Sequence, residues 1–176
     1  MASYTAPYET RQSFKLCHGF NCTFRMPVGL DDKSWKNVMK PFKRPAKNAE
    51  KEREKMAAAI ALIETYTNEQ SGLAPDRGKA ETFKAGHGQM DCIDEAVNTT
   101  RYLRFLDEEG VLVWHEAREP VHRGYIINGI YPHNAGAVRE KETRAVYVID
   151  SYYFDNGEEP AVVPLDIWLD NWRPAN

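Results

Sequence analysis

The spacing of apolar residues changes at Gly110, and this change constrains the fold more than any other feature of the chain. Before Gly110, apolar residues recur three and four positions apart, which is typical of helices. After it, short runs rich in valine, isoleucine and tyrosine are separated by turn residues, which is typical of strands. Helices followed by strands predict an α+β domain, with N-terminal helices packed on a C-terminal antiparallel sheet.

The size and composition of the chain fit a single domain. It has 176 residues, 42% of them hydrophobic and 28% charged, which is enough for one core. The net charge is −3 and no strongly basic face is expected, so nucleic acid is not the expected partner. No apolar run approaches the length of a membrane span. The oligomeric state is left open.

The periodic segments predict four helices. The longest is expected over 48–67, with a charged face toward solvent. A second is expected over 92–109, with Gly110 after its end. Shorter helices are predicted after Asp31 or Asp32 and over 164–169. Strands are predicted over 111–115, 124–127, 133–138 and 145–150.

Cys92 lies where a glycine-broken loop meets the start of the second long helix. A helix start stabilises a thiolate, because its N–H groups lack intrahelical acceptors. His133 and Asp150 follow in two strand-like segments. If these strands form a hairpin, the two residues become near cross-strand neighbours and their side chains form a hydrogen bond. The other ring nitrogen of His133 then faces the helix start, which predicts a Cys92–His133–Asp150 triad.

Three segments carry a resemblance to a known family: Asp91-Cys92-Ile93-Asp94-Glu95, Pro132–Val138 and Val148–Ser151. They resemble the transglutaminase-like superfamily, and most of all its bacterial transglutaminase-like cysteine proteinases. The resemblance covers residues 86–156 as a catalytic core within a single domain, with residues 1–30 as an N-terminal extension. It implies a papain-like or transglutaminase-like fold and thiol-dependent hydrolysis of a peptide or amide bond in a protein or peptide substrate.

The resemblance also implies roles around the triad. Cys92 attacks the carbonyl carbon, His133 accepts and returns the proton, and Asp150 orients His133. Gln89 and the backbone N–H of Cys92 are expected to stabilise the oxyanion. Aromatic and histidine side chains are expected to line a substrate groove, although aromatic residues in such strands are more often part of the core. The groove candidates are His87, Trp114 and Tyr152, with Tyr125, Tyr153 and Trp168 as further aromatic candidates.

Acidic residues flank the cysteine, and in the proteinases that the chain resembles such residues bind calcium. Asp91 and Asp94 match that pattern, and Glu95 is nearby. Calcium needs several oxygen ligands, so loop carbonyls or waters would complete the site. The alternative is that the acidic side chains stabilise the first turn of the helix. The thiol chemistry itself requires no cofactor.

Cys17 and Cys22 leave two alternatives open, a disulfide or two reduced and partly buried thiols. A disulfide leaves Cys92 free and implies an oxidising compartment such as the periplasm if the chain start is trimmed. Reduced thiols favour the cytoplasm.

Three alternatives to hydrolysis remain open: transglutaminase-type acyl transfer to an amine, a non-catalytic binding module that retains the fold, and a metal-binding regulatory protein.

Overall fold

A computed structural model describes residues 9–79, 88–124 and 132–175, which form an α+β arrangement as the sequence predicts. A small antiparallel sheet contains β1 (Phe14–His18) and β2 (Phe24–Val28). A larger antiparallel sheet has the strand order β3 (His115–Arg123), β4 (His133–Glu140), β5 (Val146–Asp150) and β6 (Ala161–Pro164). The helices are α1 (Asp32–Val38), α2 (Ala49–Ser71), α3 (Cys92–Glu108) and α4 (Leu165–Leu169), with a short 3₁₀ turn over Lys40–Lys43.

The predicted helices form where their capping residues place them. Asp31, Asn48 and Asp91 cap α1, α2 and α3, each accepting a backbone N–H from the first helical turn. The helix predicted to end at residue 67 continues to Ser71 and stops at Gly72, which adopts a left-handed φ of 66°. Within the described ranges, none of the helices combines the length and the apolar character needed to cross a membrane.

The strand predicted over 111–115 is wrong, since β3 begins only at His115. Glu52 of α2 is fully buried, and its carboxylate accepts the backbone N–H groups of Val113, Trp114 and His115. Those groups bond to a side chain instead of to a neighbouring strand. The strands predicted over 133–138 and 145–150 are confirmed as β4 and β5. Of the strand predicted over 124–127, residues 125–127 lie outside the described ranges.

Helix α3 lies close against the large sheet at Gly136 of β4. A Cβ atom at this position would lie 2.7 Å from the methyl group of Thr99 on α3, so only glycine fits. The main core surrounds this contact, with α2, α3, the small sheet and β5 all contributing. Its fully buried members include Met56, Ile60, Ile63, Leu103, Leu106 and Ile149. The contact at Gly136 packs the middle of α3 against the middle of β4.

A left-handed turn joins β1 to β2. Gly19, Phe20, Asn21 and Cys22 have φ values of 78°, 66°, 53° and 50°. This conformation costs about 1–2 kcal/mol for each residue other than glycine, so other contacts must stabilise it. A disulfide between Cys17 and Cys22 closes the turn, which decides between the two alternatives left by the sequence. Phe14 and Leu16 of β1, within the predicted N-terminal extension, are core residues.

Removal of the disulfide is expected to destabilise the protein. Because the bridge joins cysteines with a sequence separation of only 5, its loss in Cys17→Ser/Cys22→Ser should lower the free energy of unfolding by about 2 kcal/mol through the entropy of the unfolded chain. Urea titration followed by tryptophan fluorescence measures this change. Dithiothreitol should destabilise the wild-type protein by a similar amount and leave the double variant unaffected. Equal urea midpoints for the wild-type protein and the double variant would contradict a stabilising disulfide.

Candidate active site

Cys92 is the first residue of α3, and its thiol is free and partly exposed. The preceding Asp91 accepts the N–H groups of Ile93 and Asp94 at 3.0 and 2.9 Å. Asp94 in turn accepts the N–H of Asp91 at 3.2 Å, which completes a reciprocal capping box. These bonds do not use the N–H of Cys92. The thiol and this N–H therefore lie together at the positive end of the helix.

His133 and Asp150 form a buried hydrogen bond. Nε2 of His133 lies 2.8 Å from Oδ2 of Asp150. Since a carboxylate only accepts, the proton is on Nε2 and Nδ1 remains available to Cys92. Gly136 pairs with Ile149 across the two strands, so His133 and Asp150 are diagonal neighbours on one face, not directly opposite residues. The predicted contact is present with this small change of register.

Trp168 of α4 also holds Asp150. Its indole Nε1 donates to Oδ2 of Asp150 at 2.8 Å, and both side chains are almost completely buried. Its ring centroid lies 5.6 Å from that of His133. The sequence suggested Trp168 only as an aromatic wall or core residue. Its bond to Asp150 depends on the docking of α4 against β5 and β6, which no local pattern specifies.

Opposing effects act on the pKa of His133. Burial of the ring lowers the pKa, but hydrogen bonds and charge interactions with Asp150 and Cys92 outweigh burial and raise it to about 9. His133 is therefore protonated at neutral pH. The protonated ring interacts with the thiol at the start of α3.

The structure brings one of the three groove candidates to His133. The ring centroid of Tyr152 lies 5.1 Å from that of His133, and Tyr153 lies on the same side at 5.4 Å. Trp114 is at the other end of the sheet, because Arg123 pairs with His133 while β3 starts next to Trp114. The end of β3 near Trp114 is about 26 Å from the end that pairs with His133. The prediction that Trp114 lines the groove beside His133 is therefore wrong. His87, the third candidate, lies outside the described ranges.

The side-chain amide of Gln89 forms hydrogen bonds with the backbone of the loop before α3. Its Oε1 accepts the N–H of Arg77 at 3.2 Å, and its Nε2 donates to the carbonyl of Pro75 at 3.0 Å. In place of Gln89, the structure brings the amide of Asn134 to the thiol, with Nδ2 3.8 Å from Sγ of Cys92. The expected role of Gln89 as oxyanion donor therefore has no support in these contacts.

Sequence reasoning did not single out Asn134. The available signal was strand alternation, since consecutive residues of β4 must face opposite sides of the sheet. His133 is on the face that carries Asp150, whereas Asn134 is on the face of Gly136, which α3 covers. Which face α3 covers is a tertiary property.

The acidic residues around Cys92 do not fit a calcium site. Asp94 accepts the N–H groups of Phe20 and Cys22 at 2.8 and 2.6 Å, in addition to that of Asp91. Asp91 accepts the N–H of Asn21 at 3.0 Å. Calcium needs six to eight oxygen ligands, whereas these oxygens already bind backbone donors. No group of three metal-binding side chains occurs in the described part of the chain. The alternative, in which the acids stabilise the helix start, accounts for the contacts.

Glu95 belongs to a buried acidic cluster, which we define as Glu64, Asp76 and Glu95. Burial raises the pKa of Glu64 and of Asp76 to about 7, and that of Glu95 well above its ordinary value. The charges of Glu64 and Asp76 raise the pKa of Glu95 further. Glu64 and Glu95 line a cavity of about 10 Å³, roughly the space of one water molecule. The cluster is therefore largely protonated below neutral pH.

The assembled groups are suited to acyl transfer. In such an arrangement a thiol can act as a nucleophile, an imidazole as a proton donor and acceptor, and a carboxylate as the group that orients the imidazole. The N–H of Cys92 and the amide of Asn134 supply donors near the sulfur.

Comparison with known proteins does not identify a relative. No protein-family model matches the chain, and no curated protein or solved structure matches it either.

The acidic cluster should make stability depend on pH. The folded-state pKa values of Glu64 and Asp76, about 7, exceed the values of about 4 expected in the unfolded chain. The folded state therefore binds more protons, and the free energy of unfolding should fall as the pH rises from 5 to 8. The raised pKa of His133 acts in the same direction between its ordinary value and about 9. Urea titrations at several pH values measure the slope.

Glu95→Gln tests the source of this dependence, because glutamine keeps the size and the hydrogen bonding of the side chain without its charge. The variant should reduce the pH slope and be more stable than the wild-type protein at pH 8. Glu54→Gln, at an exposed position of α2, is the matched control and should leave the slope unchanged. Equal slopes for Glu95→Gln and wild type would show that the cluster does not control stability.

Proposed function

We propose that this chain is a thiol-dependent hydrolase that cleaves a peptide or other amide bond through Cys92, His133 and Asp150. The observation that carries the proposal is the position of His133 between its two partners. Nε2 is fixed by Asp150 at 2.8 Å, and the same ring interacts with Cys92 at the start of α3. A structural histidine needs neither a free thiol at a helix start nor a buried orienting carboxylate.

In the acylation step, Sγ of Cys92 attacks the carbonyl carbon of the substrate. A C–S bond forms, and the carbonyl π electrons move to oxygen to give an oxyanion. When the oxyanion collapses, the C–N bond breaks and His133 gives its proton to the leaving amine. The products are a free amine and a thioester on Cys92. Asp150 keeps the ring oriented throughout, because its bond to Nε2 does not involve the reacting nitrogen.

Deacylation completes the hydrolysis. His133, now neutral, accepts a proton from water while the water oxygen attacks the thioester carbon. The C–S bond then breaks, the carboxylic acid leaves and the thiolate–imidazolium pair returns. An amine in place of water would give transglutaminase-type acyl transfer through the same acyl-enzyme. The choice between the two acceptors decides which activity occurs.

The papain-like or transglutaminase-like identity of the fold is part of the proposal. It is supported by a cysteine at a helix start, with a histidine and an aspartate on two adjacent antiparallel strands packed against that helix. The expected substrate is a protein or a peptide. The thiol is partly exposed, and the rings of Tyr152 and Tyr153 lie next to His133, where they could contact a bound peptide.

The reactivity of Cys92 tests the thiolate–imidazolium pair. Low concentrations of iodoacetamide should label Cys92 rapidly between pH 6 and 8, with little pH dependence, because His133 remains protonated. In His133→Ala, labelling near pH 7 should slow by about tenfold and rise with pH, as for an ordinary thiol. Intact-protein mass spectrometry measures the rates, and Cys92→Ser shows whether the label is on this residue. Slow and equal labelling of the two proteins would favour a non-catalytic module.

Acyl-enzyme formation tests the hydrolase directly. The activated ester p-nitrophenyl acetate should release a burst of p-nitrophenolate and acetylate Cys92. Asp150→Asn should slow the burst by at least about a hundredfold, because the neutral amide no longer stabilises the imidazolium. A quenched fluorescent casein then tests peptide hydrolysis. Addition of glycine methyl ester separates the two activities: hydrolysis gives acetate, and transfer gives the acetylated amine. No acetylation of wild-type Cys92 would refute the proposal.

A further inference from the structure

We infer that Asn134 is a further catalytic residue, whose side-chain amide stabilises the oxyanion, and that His122 is the positioning residue that orients this amide. The inference rests on the proposed function, since an oxyanion forms only if Cys92 attacks a carbonyl group. It identifies the donor for which the sequence suggested Gln89, whose amide is bound to the backbone of Pro75 and Arg77.

The amide of Asn134 is at a suitable distance from the nucleophile. Nδ2 lies 3.8 Å from Sγ of Cys92 in a partly buried contact. After attack, the oxyanion is bonded to the carbon that carries the sulfur, so the oxygen lies close to Sγ. A donor 3.8 Å from the sulfur can then reach the oxygen at about 2.9 Å, the ordinary length of an N–H···O bond. Its bond with the oxyanion strengthens as negative charge develops on the oxygen.

A second donor lies beside it. The backbone N–H of Cys92 is at the first position of α3, where no carbonyl of the helix can accept it. The capping box uses the N–H groups of Asp91, Ile93 and Asp94 instead. The N–H of Cys92 and Nδ2 of Asn134 together form a two-donor oxyanion site. One donor comes from α3 and the other from β4.

His122 contacts the oxygen of the Asn134 amide, the end that faces away from the thiol. The two residues are directly opposite across β3 and β4. Nδ1 of His122 lies 3.1 Å from Oδ1 of Asn134, and Nε2 lies 3.0 Å from the carbonyl oxygen of Gly124. Oδ1 of Asn134 faces this ring, and Nδ2 of the same amide faces the thiol. With Oδ1 bound to His122, the NH₂ group points to Cys92.

Two reactions of the same thiol separate an oxyanion donor from a structural residue. Acylation by p-nitrophenyl acetate creates an oxyanion, whereas iodoacetamide is attacked at its methylene carbon and creates none. Asn134→Ala should slow acylation of Cys92 by about a hundredfold or more, the usual loss for one oxyanion donor. Alkylation should change by less than about threefold, because a 3.8 Å N–H···S contact is long and weak. The ratio of the two rates is the readout.

Further variants control the experiment. Asn37→Ala is matched, since Asn37 is also partly buried and donates one bond through Nδ2, to the hydroxyl of Tyr66 on α2. It should leave the ratio unchanged. His122→Phe should lower the ratio by about tenfold, because the amide remains but loses its orientation. Asn134→Ser, which keeps a small polar side chain without the amide, replaces Asn134→Ala if the alanine variant has a lower urea midpoint.

The outcomes distinguish the two proposals. An unchanged ratio in both Asn134 variants would overturn the inference while leaving the hydrolase intact. A proportional loss of acylation and alkylation would also overturn it, because Asn134 would then act on the thiol and not on the oxyanion. If the wild-type protein is not acylated at all, the proposed function fails and the inference fails with it. A selective loss of acylation supports the two-donor site.

Discussion

The rest of the site depends on the hydrogen bonds that the buried carboxylate of Asp94 accepts from the backbone. It accepts three backbone N–H groups, those of Phe20 and Cys22 in the left-handed turn and that of Asp91 at the helix start. Burial raises the pKa of Asp94 to about 7, whereas these hydrogen bonds favour the charged form. One side chain thereby ties the small sheet to the first turn of α3. Cys92 belongs to this first turn of α3, so these bonds also fix its position.

The proposed site also requires the start of α3 to lie next to the start of β4. The contact between Gly136 and Thr99 allows the helix to lie close against the strand. The register of β4 and β5 then places Asp150 diagonal to His133, and α4 adds the indole of Trp168 behind the carboxylate. The proposed catalytic groups thus come from a helix and from two consecutive strands that follow it in the chain. They meet because each element packs against its neighbours independently of the chemistry.

Much of the fold could be predicted because its signals are local. Capping residues and apolar periodicity gave the starts of α2 and α3, and they gave Cys92 its place at a helix N-terminus. The predicted hairpin brings His133 and Asp150 together as expected, but the register of the two strands differs slightly from the prediction. The strand predicted over 111–115 failed for a non-local reason, since Glu52 on α2 accepts the backbone N–H groups of that segment.

The remaining errors concern side chains whose partners are distant in sequence. Gln89 is close to Cys92 along the chain, but its amide satisfies the backbone of another part of the loop. Trp114 belongs to the strand that pairs with β4, but it is at the wrong end of the sheet. Asn134 follows His133 directly, yet its approach to the thiol depends on which face of the sheet α3 covers.

The sequence alone determined the α+β class, the helix start at Cys92 and the pairing of a histidine strand with an aspartate strand. These features follow from hydrogen bonds and apolar spacing among residues close in the chain. The tertiary structure decided that Cys17 and Cys22 are bonded, that the acids beside Cys92 bind backbone groups, and that the amide near the sulfur belongs to Asn134. Each of these contacts joins elements far apart in sequence or depends on their packing, so no local pattern could specify its partner.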